Sequence, residues 1–402
     1  MLSTYRPSRP TTFVVILCLS VACLTLLLLQ LHAPTATGFL GTGAGADADA
    51  DELLLAASRA RTSTPVWEPP MRAHNASARA NATMLMLARN SDINGVVQSV
   101  REAEDRFNRA YGYPWVFLNE EPFSEDFKNR VGNLIQGEVY FGQIPHDHWY
   151  QPDWIDEQRA AAGRKQLVRQ KVIYGGSVSY RNMCRFNSGF FFHHPLLQKY
   201  RWYWRVEPDV HFHCDMQHDP FVYMEEHNKT YGFTITMLEF EKTIPTLWPA
   251  VREFMDANPQ YIAPGNALDY VSYNRGETYN LCHFWSNFEI ADLDFWRGEA
   301  YRKFFDFLDA KGGFYYERWG DAPVHSIAAA LFLPKERIHF FREIGYFHHP
   351  FTHCPVERDI WQAGRCSCNP DDSFDYTGYS CMRQWDRALA GLAPEMPNQL
   401  PG

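Results

Sequence analysis

The chain has no dense block of lysine and arginine. Its 38 basic residues are outnumbered by 47 acidic ones, the formal net charge is −9, and the electrostatic footprint of a nucleic-acid binder is therefore missing. No internal repeat is visible, which removes solenoids and propellers. Cysteine is sparse, nine in 402 residues, and Cys366, Cys368 and Cys381 do not follow the spacing of a common zinc motif. Charge is absent altogether from Thr11 to Leu31, "TTFVVILCLSVACLTLLLLQL", a run close to the roughly 20 apolar residues that cross a bilayer. It is longer than the roughly 7 to 15 apolar residues of a cleaved signal peptide, so an uncleaved anchor is expected. Arg6 and Arg9 precede the span, whereas no Lys or Arg follows before Arg59 and an acidic "DADADE" intervenes. The positive-inside rule then makes residues 1–10 a cytoplasmic tail and 11–31 a membrane helix, with everything else on the lumenal side.

Beyond the anchor, the Ala-, Thr- and Gly-rich stretch 32–81 cannot bury enough apolar surface to fold and reads as a stem. Residues 82–402 hold most of the aromatic side chains and can supply one large core. Seven cysteines lie outside the span: Cys184, Cys214, Cys282, Cys354, Cys366, Cys368 and Cys381. In an oxidising lumen they allow at most three intrachain disulfides with one cysteine left over, either free or joining two chains. Sequons at Asn75, Asn81 and Asn228 agree with that compartment.

Order begins at "ATMLMLARNSD", a strand-length apolar run ending in helix-capping residues. Ile93, Val96, Val97, Val100 and Phe107 then share one helical face, and "WVFL" at 115–118 is a second buried strand. Strand, helix, strand in about 40 residues is a βαβ unit, so the domain opens as a parallel, Rossmann-like α/β sheet. "GEVYFGQI", "KVIYG", "SGFFFHH", "RWYWRV" and "YGFTIT" are further candidate strands. "TLWPAVREFMDAN" and "FWRGEAYRKFFDFLDAKG" have helical spacing, and the tail after Cys354 reads as an irregular strap held by disulfides. Ligands of such sheets bind beyond the carboxyl ends of the strands, which directs attention to the polar residues there.

In "RWYWRVEPDV" the alternation of Trp202, Trp204 and Val206 with Tyr203 and Arg205 ends at Pro208, which has no N–H to donate. Glu207 and Asp209 would project beyond the strand end, where hard oxygen ligands suit Mg²⁺ or Mn²⁺ on a diphosphate. A plain strand-to-turn transition accounts for the same residues. In "YNLCHFWSNFEIADLDFW" the rings beside Asn287 and Glu289 suit a sugar-binding wall, and burial of Glu289 would raise its pKa or demand a partner. Asp292 and Asp294 read as caps of the next helix. Asp321 precedes Pro323 and an Ala-rich helix, so it is an N-cap or a catalytic-side carboxylate. Pro350 keeps His349 and His353 off a shared helix face, against a two-histidine zinc motif, and because most isolated histidines are merely hydrogen-bonded, at most one of His348, His349 and His353 is expected to bind metal.

Taken together, "WRVEPDV", "TIPTLWP", "YNLCHFWSNFEIADLDFWR", "GGFYYERWGDAPVHSIAAALFLPK", "IGYFHHPFTHCP" and "GGSVSYRNMCRFNSGFFF" closely resemble the fungal Golgi α-1,2-mannosyltransferase family, over about residues 82–356. The resemblance implies a single-pass type II Golgi membrane protein with a GT-A-like mixed α/β domain. It implies retaining transfer of mannose from GDP-mannose to mannosylated glycoprotein acceptors, aided by Mn²⁺. It places metal binding on Glu207, Asp209 and His348, and the debated nucleophile on Glu289. Asp321 takes the remaining active-site acid, and Tyr180 meets the acceptor, with Arg89 and Asn287 as further substrate-binding residues. The competing expectation is an inactive, lectin-like mannose-binding protein on the same fold, and a two-carboxylate glycosidase is a third.

Overall fold

The computed structural model describes residues 79–394. The expected tail, membrane helix and nearly all of the stem, with the sequon at Asn75, lie outside the described residues. No helix among the described residues is long and apolar enough to cross a membrane.

The strands are β1 (Ala82–Leu87), β2 (Trp115–Asn119), β3 (Val139–Gln143), β4 (Trp202–Arg205), β5 (His211–Phe212), β6 (Tyr231–Phe233), β7 (Thr236–Leu238), β8 (Cys282–Phe284), β9 (Glu289–Asp292), β10 (Ile338–Phe340), β11 (Tyr346–His348) and β12 (Phe351–His353). Seven of them form one sheet in the order β10-β6-β9-β4-β1-β2-β3, parallel throughout except for β9. The expected βαβ unit opens it: α1 (Ile93–Ala103) crosses from β1 to β2, and Met84 pairs with Trp115. Strands β12, β11 and β5 make a small antiparallel sheet, and β7 pairs with β8.

Around its inner strands both faces of the main sheet are covered, and β1, β2, β4 and β9 are buried on both sides. Met84, Met86, Trp202 and Trp204 face a core with Val96, Val100 and Phe107. Leu85, Val116 and Tyr203 face the larger core, built with α2 (Val178–Gly189), α3 (Leu247–Ala257), α4 (Glu299–Lys311), α5 (Asp321–Phe332) and α6 (Met382–Ala390).

Several expected elements take another form. "KVIYG" is a turn, because Lys171 and Tyr174 adopt left-handed backbone (φ 58° and 56°) that no strand tolerates. "SGFFFHH" ends α2 and continues as short 3₁₀ turns; a brief apolar run cannot be told from a buried helical turn by period alone. "YGFTIT" divides between β6 and β7 in different sheets. The segment around Gly298 forms two helices, Leu293–Arg297 and α4, the second stopped by Gly312 in left-handed conformation (φ 72°). Asp292 caps the first of these through the Asp294 amide, while Asp294 itself caps nothing.

The strap is more regular than expected, since it contains Arg358–Ala363 and α6. Three disulfides hold it: Cys214–Cys366, Cys354–Cys368 and Cys282–Cys381. The cysteine left over, Cys184, is fully buried in α2 and cannot join two chains. Burial pushes its thiol up, which leaves it inert at neutral pH. Asn81 and Asn228 are exposed.

Next to the strap, His353 is buried, with Nδ1 2.8 Å from Asp375 Oδ2 and Nε2 3.1 Å from the Arg342 carbonyl. Burial alone would lower its pKa, but the Asp375 carboxylate outweighs this and raises it above 6.5. The unfolded chain then binds this proton less tightly than the native one. The pair's stabilisation is complete below about pH 6.5 and is lost as pH rises through the raised native value. We therefore expect thermal stability to fall on raising pH above 6.5, with a shallower slope in His353→Gln. Equal slopes for the two proteins in melting scans across that range would contradict the assignment.

Candidate active site

Strand β4 is the central strand of the sheet, and its pleat sends Trp202 and Trp204 to one face, Tyr203 and Arg205 to the other. Arg205 lies opposite Glu289 in the β4–β9 register. It is almost fully buried, so its charge needs partners. Nε and Nη2 donate to Glu207 Oε1 at 3.0 and 2.5 Å, and Nη1 donates to Asp321 Oδ2 at 2.5 Å. Glu289 Oε1 lies 4.0 Å from the same Nη1. One guanidinium therefore ties together three of the carboxylates that the sequence singled out. Burial alone would lower the Arg205 pKa, but Glu207, Asp321 and Glu289 raise it well above the ordinary value.

Glu207 sits past the strand end, after Val206, whose N–H still bonds Leu85. Burial would raise its pKa, yet Arg205 and His348 hold it down to about 2. Its second oxygen, Oε2, lies 3.6 Å from His348 Nε2, too long for a hydrogen bond, so neither atom is consumed by the other. His348 ends β11, where its ring meets Trp285 edge-on and Nδ1 lies 3.2 Å from the His349 carbonyl. An Nδ1–H donated to a backbone carbonyl leaves Nε2 with a lone pair aimed toward Glu207, as metal-binding histidines are commonly arranged. Burial lowers the His348 pKa, but Glu207 more than compensates and raises it. His349 is exposed and His353 is committed to Asp375, so of the three histidines only His348 faces the acids.

Asp209 stands apart. It is exposed, in left-handed conformation (φ 61°), and its carboxylate lies over Gly95 at the start of α1. A Cβ on Gly95 would come within 2.3 Å of Asp209 Oδ1, so only glycine permits this approach. Asp321 is the first residue of α5 and not its cap; its Oδ2 accepts from Ser286 Oγ at 2.8 Å as well as from Arg205. Glu289 is 1% exposed and accepts from the Tyr203 hydroxyl at 2.9 Å, while His325 Nδ1 lies 3.0 Å from Oε2. The demand for a partner that burial would place on Glu289 is thus met.

The expected substrate-binding residues sit in three different settings. Tyr180, in the first turn of α2, stacks on the exposed Tyr174 at 4.7 Å, with Arg318 5.0 Å above its ring. Arg89 follows β1, exposed and paired with Asp92. Asn287 is buried and accepts from the Tyr346 hydroxyl through its carbonyl and Oδ1. Arg205, Ser286 and His325 belong to the site as well, although no motif in the sequence marks them. Arg205 had a usable signal, since an arginine in a run of buried-strand type must be paired.

A mainly parallel α/β sheet with one reversed strand, gathering carboxylates and a histidine beyond its central strand, is a GT-A-like glycosyltransferase architecture. The chain belongs to the glycolipid 2-alpha-mannosyltransferase family, whose model matches residues 48–389. Among relatives, glycolipid 2-alpha-mannosyltransferase 2 of Candida albicans is 56% identical over 317 residues, 79% of this chain and 69% of that protein. Two solved structures share the fold. Core-mannan synthase A (CmsA/Ktr4) of Aspergillus fumigatus, in its Mn/GDP form, is 41% identical with a TM-score of 0.73, covering 80% of this chain and 88% of its own. Mannosyltransferase Ktr4p of S. cerevisiae in complex with GDP is 34% identical with a TM-score of 0.77, covering 94% and 98%.

Proposed function

We propose that the protein is a Mn²⁺-dependent, retaining α-1,2-mannosyltransferase. It moves mannose from GDP-mannose to a hydroxyl of mannosylated glycoproteins, and is held in the Golgi membrane as a single-pass type II protein by residues 11–31. The observation that carries this reading is the Arg205 knot, which puts Glu207, Asp321 and Glu289 around one guanidinium with His348 opposite Glu207. Family membership and the Mn/GDP form of core-mannan synthase A support the choice of donor and metal. A lectin would have no use for the complete set of acids and the facing histidine.

Glu207 Oε2 and His348 Nε2 would hold the metal, and the carboxylate and imidazole donors suit Mn²⁺. Among the described residues no group of three or more His, Cys, Asp or Glu is placed to hold a metal ion, so Glu207 and His348 would be the side chains that supply its protein ligands. When bound, the metal neutralises charge left on the diphosphate as GDP departs. Arg205 keeps Glu207 ionised and turns Oε1 away, so that Oε2 faces His348. Asp209, held over Gly95, orients the loop or reaches the metal through water. Glu289 supplies negative charge to the sugar as positive charge develops on it, or attacks it directly; either role needs the ionised carboxylate.

The deciding experiment is turnover of GDP-mannose by the purified protein with mannose, mannobiose and N-glycan cores, with and without Mn²⁺. Mannosyl transfer requiring Mn²⁺ is expected, while sugar binding without turnover on any acceptor would favour the lectin. For His348→Ala we expect a tenfold or greater rise, roughly, in the Mn²⁺ concentration for half-maximal rate. An unchanged metal titration removes His348 from the ligand set.

A further inference from the structure

Helix α5, "DAPVHSIAAALF", is buried at every residue but Ala322, and near its middle stands His325 with no exposed surface. A buried imidazole must be hydrogen-bonded, and both nitrogens here face acceptors. Nε2 lies 2.9 Å from the carbonyl oxygen of Asn187, which can only accept. Nδ1 lies 3.0 and 3.2 Å from the two oxygens of Glu289.

The other neighbours decide where the proton sits. The Tyr203 oxygen accepts the Trp296 indole N–H at 3.0 Å, so its own hydrogen is turned to Glu289 Oε1. Arg205 on β4 lies 4.0 Å from that oxygen. The remaining titratable groups facing the pair are Tyr231 from β6, Tyr301 from α4 and Asp321 one turn earlier on α5. Burial pushes Tyr203, Tyr231 and Tyr301 well above their usual range, so all three are neutral. Asp321 is spent on Arg205 and Ser286. Trp296 stacks its ring 4.2 Å from the imidazole, a face that favours a cation. Glu289 thus meets donors on both oxygens, and nothing beside it competes for the proton of Nδ1.

We propose that His325 is a positioning residue, an imidazolium protonated on both nitrogens that clamps Glu289 as an ionised carboxylate in one orientation. The clamp deepens the mannosyltransferase reading and rests on it only for its catalytic consequence. Two buried cations, Arg205 and His325, then face three acids, Glu207, Asp321 and Glu289, so the cluster keeps a negative surplus that suits a divalent metal. A Glu289 that took the proton itself would be neutral and useless toward a cationic sugar.

The test is ¹⁵N NMR of the purified full-length protein labelled at histidine, with the His325 signals assigned by their loss in His325→Asn. Protons on both ring nitrogens at pH 7 are expected; either neutral tautomer overturns the clamp. Kinetics give the second arm. Asparagine places an amide N–H where Nδ1 stood and can still hold Glu289, whereas phenylalanine cannot. For His325→Phe we expect kcat to fall by roughly tenfold to a hundredfold with little change in KM for GDP-mannose, and His325→Asn to recover most of it. Equal losses in the two variants, at equal melting temperature, also overturn the proposal. Failure of the transferase reading would show instead as no turnover in the parent protein, and the NMR result would stand regardless.

Discussion

Glu289→Gln is expected to lower kcat for mannosyl transfer by about 10³-fold while the protein stays folded. The substitution keeps the shape of the side chain and removes its charge, which is the property both retaining routes need. Oε1 can still accept from Tyr203. The amide nitrogen, however, takes the place of an oxygen facing His325 Nδ1, and two donors cannot share that contact. His325 can yield by giving up the Nδ1 proton and accepting from the amide, with Nε2 still bonded to Asn187. We therefore expect a modest fall in melting temperature, a His325 that is neutral by ¹⁵N NMR, and a nearly dead enzyme. Initial rates with GDP-mannose and methyl α-mannoside check the last point. Near-normal turnover removes Glu289 from the reaction and with it the catalytic meaning of the His325 clamp.

What the sequence disclosed depended on how far each signal reached along the chain. The βαβ opening, the central strand and the helices at 247–257 and 299–311 were legible because period and caps are local. So was the corner at Glu207, since a proline beside two acids marks a strand end in any context. Two expected strands failed for an equally local reason: in "KVIYG" and "SGFFFHH" apolar content suggested a strand, but left-handed residues and a continuing helix decided the form. The site's interior lay out of reach. That Arg205 meets Asp321 depends on residues 116 positions apart, and the contact of His325 with Glu289 spans 36. Family resemblance assigned roles to Glu289 and Asp321, but it gave neither the guanidinium between them nor the imidazole behind. The disulfide pairing likewise follows from the fold and not from cysteine spacing.

Arg205→Met is expected to cost about 3–5 kcal/mol of stability, the range found when one partner of a buried charge cluster is removed. Methionine fills part of the space of the arginine stem and replaces none of its bonds. Asp321 would retain only Ser286, and Glu207 would retain only the distant His348. With fewer partners these acids must take up protons or admit water. In melting scans at fixed rate a drop of roughly 10 °C corresponds to that loss. The acid limb carries the second signature. Because the native Glu207 pKa lies near 2, its stabilisation is present above about pH 4.5 and is lost as pH falls from there toward 2. Without Arg205 the main cause of that depression is gone, so the variant should lose less stability than the parent across the same window. Arg205→Lys separates charge from geometry: a single ammonium can hold Glu207 or Asp321 but cannot match the fork that holds both. A partial recovery of melting temperature with little recovery of turnover is therefore expected for lysine. If methionine instead leaves stability and acid slope unchanged, the three acids are not organised by Arg205, and the site must be held by something other than this buried charge.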